Sequence, residues 1–202
     1  MMFARFTAAA LLTTISVAHA DDANKEAAVQ RVVHVCASCH GEAGRSTKAS
    51  FPDLASQMPL YVISQLKDFR TQTRAESDIQ AYMWGVSALL DDSMIEGLAE
   101  YYARQTPAPG KVGDTRLVAT GRKIYDEGIL ARGVKACGSC HGAHAEGASV
   151  FPRLAGQNAT YVFAQLKVFG TRLRPHGVLM KNETANMSTA QMRAVAEYVQ
   201  SL

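Results

Sequence analysis

Apolar residues recur every three or four positions through most of this chain, and few segments alternate with the two-residue period of a β-strand. One helical pattern precedes residue 36, and another follows Pro59, a residue that suits the first turn of a helix. Three more patterns follow residues that can cap a helix. The pattern predicts an all-α protein. In the first half the apolar helical positions are Ala27, Ala28, Val32 and Val35, then Tyr61, Leu66 and Phe69, and, after the cap Asp91 or Asp92, Ile95, Leu98, Ala99 and Tyr102. In the second half they are Leu117, Gly121, Ile124 and Tyr125, between the cap Asp114 or Thr115 and the stop Gly128, and Met192, Ala196 and Tyr198 after the cap Ser188.

The two halves of the chain repeat each other. FPDLASQ at 51–57 matches FPRLAGQ at 151–157, and YVISQLKDF at 61–69 matches YVFAQLKVF at 161–169. The offset between the copies is 100 in these blocks, 101 at the cysteines and 97 at the last helices. Two copies indicate tandem domains rather than a solenoid. We predict a first domain at 21–104, a linker at 105–113 that two prolines stiffen, and a second domain at 114–202.

The first twenty residues have the organisation of a secretory signal peptide. Arg5 precedes a short, largely apolar run at 8–17, and Ala18-His19-Ala20 fits the small-x-small cleavage rule. We therefore predict a signal peptide at 1–20, export to the periplasm and a mature chain that begins at Asp21. An uncleaved anchor is the alternative, and no later stretch is long and apolar enough to cross a bilayer.

Charge is distributed unevenly between the halves. Residues 21–109 carry eight Lys/Arg against twelve Asp/Glu, a net charge of −4, whereas residues 110–202 carry twelve against six, a net charge of +6. Ordinary variation of the surface would explain this difference. The functional interpretation is a dipolar molecule whose two ends attract different partners.

All four cysteines belong to two Cys-x-x-Cys-His motifs, which place Cys36 and Cys39 before His40 and repeat as Cys137, Cys140 and His141. Two thiols at this spacing, followed at once by an imidazole, are typical of covalent haem attachment with the histidine as an iron ligand. A four-thiolate zinc site, a thiol redox motif and disulfides are the alternatives, but none of them explains a histidine after both pairs. The motifs predict two covalently bound haem c groups.

Methionines at matched positions are the candidates for the second axial ligand of each haem iron. Met83 and Met180 each lie seven residues before the apolar residue that precedes the cap of a final helix, and they share the offset of 97. Met94, Met187 and Met192 fit helical patterns and are expected in the core. His176 is the rival ligand in the second half; it has no counterpart near Met83.

The two motifs, each followed by Phe-Pro-x-Leu-Ala-x-Gln, Tyr-x-x-x-Gln-Leu, a loop methionine and a closing helix, resemble dihaem cytochromes c of the cytochrome c4 family. The resemblance covers nearly the whole mature chain. It implies two all-α cytochrome c domains related by a pseudo-twofold axis, with the haems close together at the interface. It also implies that the carbonyls of Pro52 and Pro152 accept a hydrogen bond from the ligand histidines, and that the terminal helices of the second domain cross near Gly121 and Tyr198.

The function expected is one-electron transfer without catalysis. The resemblance implies a membrane quinol-oxidising complex as donor and a terminal oxidase as acceptor; no nucleic-acid partner is expected, and association with a membrane surface stays open. Methionine at both irons argues against an enzyme such as a dihaem peroxidase or a thiosulfate dehydrogenase, because such enzymes need a labile ligand. A cytochrome subunit of a larger dehydrogenase or oxidase is a further alternative.

Overall fold

A computed structural model describes the backbone of residues 11–75 and 80–202, and the side chains of the same ranges except 11–22, 80 and 81. Residues 1–10 of the predicted signal peptide lie outside this part of the chain. Apart from two isolated bridges, Ile129–Val134 and Ala148–Phe151, the described residues form no β-structure. The α-helices are α1 (Leu11–His40), α2 (Pro59–Arg70), α3 (Gln80–Ser87), α4 (Asp92–Ala103), α5 (Thr115–Glu127), α6 (Gly138–His141), α7 (Ala159–Phe169), α8 (Val178–Thr184) and α9 (Thr189–Gln200).

Four helices, α2, α4, α5 and α9, begin where the sequence predicts. Pro59 is the first residue of α2. The Asp91 carboxylate accepts a hydrogen bond from the Met94 amide at the start of α4, and Asp114 caps α5 in the same way. Ser188 and Gln191 form a reciprocal capping box at α9. These side chains satisfy amide groups that have no partner inside the helix, which fixes each helix start.

Two hydrophobic cores form, one in each half of the chain. The first lies between α1, α2 and α4, and the second between α5, α7 and α9. The predicted apolar face of α1 is partly wrong, because Val35 is 56% exposed and Ala27 is also exposed. Val29 and Val33 are the residues of α1 that are buried in the first core. None of the helices, as far as the structure describes them, is long and apolar enough to span a bilayer.

A glycine lies at the helix crossing of each core, but on opposite helices. In the second core Gly121 of α5 packs directly on the Ala194 carbonyl of α9, and a Cβ atom there would also lie 2.8 Å from the Cβ of Tyr198. This confirms the crossing near Gly121 and Tyr198. In the first core the glycine is Gly97 of α4, where a Cβ would lie 2.6 Å from a methyl group of Val29 on α1. Each crossing therefore needs one glycine, and either helix can supply it.

The second half contains an insertion before its Cys-x-x-Cys-His motif. In the first half the motif is the last turn of α1. In the second half α5 stops at Gly128, whose φ of 72° favours glycine, and residues 128–136 form a loop before α6. The loop contains a short 3₁₀ turn, Leu130–Arg132, and it is held by mutual backbone hydrogen bonds between Ile129 and Val134.

The close crossing predicts that Gly121→Ala destabilises the protein. Alanine favours a helix over glycine by up to about 1 kcal/mol, but its methyl group would overlap the Ala194 carbonyl, and such overpacking costs about 1–3 kcal/mol. We expect a net loss of about 1–2 kcal/mol in the free energy of unfolding, measured by guanidinium denaturation and far-UV circular dichroism. Gly170→Ala is the control, because its Cβ would meet only Lys167 O at 3.4 Å. Equal stability of the two variants would contradict the crossing.

Candidate haem-binding sites

Each motif histidine is held by the carbonyl of the matching proline. The Nδ1 atom of His40 lies 2.9 Å from Pro52 O, and Nδ1 of His141 lies 3.0 Å from Pro152 O. A carbonyl can only accept, so Nδ1 carries the proton in both rings. In a neutral imidazole this leaves the lone pair on Nε2, which is the nitrogen available to a metal. A phenylalanine ring packs edge-on against each imidazole, Phe51 at 6.0 Å and Phe151 at 6.2 Å between centroids.

Burial keeps both imidazoles neutral. His40 is 8% exposed and His141 is 5% exposed. Loss of hydration lowers the pKa of each ring, and the proline carbonyls oppose this shift only in part. The positive charge of Arg74 lowers the pKa of His40 further. Both rings therefore present an unprotonated Nε2 at neutral pH.

None of the four cysteines forms a disulfide, and each pair lies in the same motif as its histidine. Burial raises the pKa of the Cys36 thiol, and it raises the pKa of the Cys137 thiol to about 11. Cys36 also contacts the first core, and Cys137 contacts the second. Within the described ranges, no three His, Cys, Asp or Glu side chains converge as the zinc alternative requires.

The two candidate methionines lie on short helices that occupy the same place in each half. Met83 is on α3 and Met180 is on α8; both side chains are half-buried, and Met180 packs against the second core. One turn later each helix carries a buried hydroxyl residue, Ser87 with no exposure and Thr184 with 2%. The Thr184 hydroxyl donates to the Met180 carbonyl at 2.8 Å and so stabilises this turn. Sequence reasoning missed this pair, although its offset of 97 was the available signal.

The three histidine side chains that the structure describes outside the motifs lie at the surface. The Nδ1 atom of His176 lies 2.8 Å from the Asp68 carboxylate of the other half, and the His176 side chain is 67% exposed. Asp68 thus engages the Nδ1 atom of this ring. His34 and His144 are also exposed.

The two halves exchange hydrogen bonds through one glutamine each. Gln57 accepts from the Arg153 amide at 2.7 Å and donates to the Arg153 carbonyl at 3.1 Å. Gln157 makes the matching pair with the amide and carbonyl of Asp53, at 2.8 and 2.9 Å. Both glutamines are 5% exposed. Because residues 53 and 153 follow the prolines that hold the histidines, this exchange connects the two sites directly.

A second reciprocal cluster lies beside the first. The buried guanidinium groups of Arg74 and Arg174 both donate to Gln65 Oε1 (2.9 and 2.7 Å) and to Gln165 Oε1 (3.2 and 2.6 Å). Each arginine also stacks on the phenylalanine of its own half, with the guanidinium carbon 4.5 Å from the Phe69 ring and 4.3 Å from the Phe169 ring. Hydrogen bonds to Tyr61 and Tyr161 complete the cluster. The two positive charges can lie close together because each guanidinium group donates to acceptors from both halves.

The donor set fits haem c. Two thiols and a neutral imidazole with a free Nε2 lie together in each half, as covalent attachment and iron ligation require. Three buried polar atoms, Ser87 Oγ, Tyr102 Oη and Arg153 Nε, have no hydrogen-bond partner among the described residues. Haem c carries two carboxylates, which are acceptors of the kind that such donors need. The alternatives of zinc and disulfides would leave these donors unexplained.

Comparisons with known proteins agree with this arrangement. A family model described as cytochrome c matches residues 118–202. The chain is 39% identical to cytochrome c-552 of Acidithiobacillus ferridurans over 176 residues, which cover 85% of this chain and 75% of that protein. It is 34% identical to cytochrome c4 of Azotobacter vinelandii over 205 residues, which cover 95% of this chain and 96% of that protein.

One solved structure and one further relative bear on fold and function. The fold matches cytochrome c4 of Acidithiobacillus ferrooxidans with a TM-score of 0.77 and 36% identity, over 83% of this chain and 98% of that one. This confirms an all-α fold of two tandem cytochrome c domains. The chain is also 32% identical to a thiosulfate dehydrogenase electron acceptor of Thiomonas intermedia over 170 residues, which cover 81% of this chain and 76% of that protein.

The arginine cluster predicts that Gln65→Leu destabilises the protein. The substitution removes one acceptor from each of two buried guanidinium groups, and a lost partner of a buried charged donor costs about 1–3 kcal/mol. We expect a loss of this size in guanidinium denaturation at pH 7. Gln30→Leu, which removes only an exposed contact to Glu26, is the control and should change stability by less than about 0.5 kcal/mol. A Gln65→Leu protein as stable as this control would show that the two bonds to Gln65 contribute nothing to stability.

Proposed function

We propose that this chain, which belongs to the cytochrome c4 family and carries two covalently bound haem c groups, transfers single electrons between redox proteins of the periplasm. When bound, each haem supplies one reversible electron through the ferric and ferrous states of its iron. Within this proposal the signal peptide is residues 1–20, the domains are 21–104 and 114–202, and the linker is 105–113. The support for export is the pattern Arg5, apolar run and Ala18-His19-Ala20.

We infer the roles of the site residues from their placement. Cys36, Cys39, Cys137 and Cys140 would form the thioether bonds, with His40 and Met83 as axial ligands in the first domain and His141 and Met180 in the second. Pro52 and Pro152 orient the imidazoles through the Nδ1–H bonds, which also make Nε2 a stronger electron donor. If these histidines and methionines hold the iron in both domains, the protein itself would leave no ligand position open to a substrate. This argues for a carrier and against an enzyme.

The observation that carries the proposal is the direct connection between two equivalent sites. Each histidine-binding proline is followed by a residue whose backbone bonds to the glutamine of the other domain. The path from one imidazole to the other therefore runs through three hydrogen bonds and one five-residue segment, 53–57 or 153–157. Hydrogen bonds and peptide groups thus connect the two domains continuously.

The partners follow from the family and from charge. A quinol-oxidising complex as donor and a terminal oxidase as acceptor suit a carrier of this family, and the opposite charges of the two halves suit two different docking surfaces. The relative named as an electron acceptor of thiosulfate dehydrogenase supports a dehydrogenase as a second candidate donor. Both candidates assign the same role to this chain.

Substitution of the candidate ligands tests the coordination. Methionine bound to ferric haem gives a weak far-red absorption band, and we expect Met83→Leu and Met180→Leu each to remove about half of it, because one of two equal sites is lost. Leucine keeps the apolar volume, so the fold should persist. Met94→Leu and Met192→Leu change core methionines of the two domains and should leave the band intact. A full band in either ligand variant would exclude that methionine.

A potentiometric titration tests the function itself. The purified protein should take up two electrons in two one-electron steps, each followed in the visible haem spectrum. Added cyanide should bind slowly at both sites, because it must first displace a protein ligand. Rapid cyanide binding at one site, or a high-spin fraction, would instead support an enzyme with a labile ligand.

A further inference from the structure

The segment that holds the histidine carries opposite charges in the two domains. Asp53 follows Pro52, and Arg153 follows Pro152 at the same place in the repeat. The two proline carbonyls accept the hydrogen bonds from His40 and His141, at 2.9 and 3.0 Å. Each charge is therefore on the residue directly after the one that orients a ligand imidazole.

The backbones at these two positions are fixed in the same way. Gln157 binds the amide and carbonyl of Asp53, and Gln57 binds those of Arg153. Neither pair of bonds uses the side chain of residue 53 or 153. The two domains thus place side chains of opposite charge at equivalent positions, and at this position the sites differ in the sign of the charge.

Both charges are partly withdrawn from water. The Asp53 side chain is half-buried, and one carboxylate oxygen accepts from the Ser46 amide at 2.6 Å. Burial raises the pKa of Asp53, while the Ser46 bond and the nearby Lys111 lower it. Arg153 is also half-buried, and its Nε–H has no hydrogen-bond partner among the residues described. Charges in such surroundings act over a longer range than exposed ones.

Opposite charges nearby reduce this contrast without cancelling it. Arg45 of the first domain corresponds to Glu146 of the second at the offset of 101. In this pair the first domain carries the positive charge and the second the negative charge, the reverse of Asp53 and Arg153. Arg45, Glu146 and Lys111 are all exposed. Arg153 helps to lower the pKa of Glu146, although backbone N–H groups contribute more. Because solvent screens exposed charges strongly, Asp53 and Arg153 should dominate.

We propose that Asp53 and Arg153 set the order of the two reduction potentials, so that the second domain is reduced before the first. Reduction removes one positive charge from a site. The Asp53 carboxylate stabilises the more positive, oxidised state and lowers the potential of the first domain, whereas the Arg153 guanidinium stabilises the reduced state and raises the potential of the second. This inference rests on the proposed electron-transfer function, and it gives that function a direction from the first domain to the second.

The test compares Asp53→Asn, Arg153→Gln and the double variant in redox titrations at pH 7. NMR signals of the ferric haems, assigned to domains with the Met83→Leu and Met180→Leu proteins, report each site separately. In the wild type the second domain should be reduced first. Each neutralisation should shift the equilibrium of the electron between the domains by about threefold toward equality, and the double variant by about ninefold.

Matched variants separate charge from packing. Arg153→Lys keeps the charge and should keep the wild-type separation of potentials. Arg45→Gln and Glu146→Gln neutralise exposed charges and should each shift the electron equilibrium between the domains by clearly less than threefold. Asparagine at position 53 retains an oxygen for the Ser46 amide, so the loop should persist.

The outcomes that overturn the proposal differ from those that overturn the function. If the second domain is not reduced first, if neutralisation leaves the separation unchanged, or if Arg153→Lys shifts it as much as Arg153→Gln, the proposal is wrong and the carrier function stands. If the wild-type protein lacks two one-electron steps, the carrier function itself fails.

Discussion

The segments at 51–57 and 151–157 carry the constraint on which the rest of the molecule depends. Each segment must hold its own histidine through a proline carbonyl and bind the other domain through a glutamine. Each must also dock on its own final helix, where the amides of Ser56 and Gly156 donate to the carbonyls of Tyr102 and Val199, both at 2.8 Å. A segment of seven residues thus connects a candidate iron ligand, a domain core and the domain interface.

The backbone shows the cost of this arrangement. The residue at the sixth position of each segment has a positive φ, 78° at Gly156 and 58° at Ser56. Glycine adopts this conformation freely, but a serine there costs about 1–3 kcal/mol. The bonds to the final helix and to the other domain hold the strained serine in place. Rigidity of this kind suits electron transfer, because a site that cannot rearrange needs little reorganisation when its charge changes.

Much of the site could be predicted from the sequence because the repeat contains it twice. The motif cysteines and histidines and the methionine register follow from spacing, and the role of the prolines follows from the family resemblance. The helix starts follow from local capping residues that act over three or four positions. Gln57, Gln157, Gln65 and Gln165 also stand in the repeated blocks. Their role could not be predicted, because a glutamine repeated in two domains gives no sign that each copy binds the other domain.

Other features of the fold depend on tertiary packing and are only weakly indicated by the sequence. The first domain contains no match to Gly121 because its crossing glycine, Gly97, lies on the other helix. The exposed Val35 satisfied the helical pattern of α1, but Val29 and Val33 pack against α4, since the crossing determines which face is buried. Ser87 and Thr184 could have been found from their shared offset of 97. Periodicity describes one helix at a time, whereas these positions are defined by pairs of helices.

The way the interface is built explains where the two domains are free to differ. Side chains that form reciprocal bonds across the interface, such as Gln57 and Arg74, are the same in both copies, because each of these bonds has a symmetric partner that needs the same residue. Positions that contribute only their backbone carry no such requirement. Residues 53 and 153 bind the other domain through their amides and carbonyls, so an acid and a base can occupy them without loss of an interface bond. Trp84 and Lys181 also differ between the copies, and the Trp84 indole donates to the Arg74 carbonyl at 2.8 Å within its own domain. A duplicated scaffold can therefore keep its two sites rigidly connected while their surroundings become unequal, and unequal surroundings are what a directional electron carrier requires.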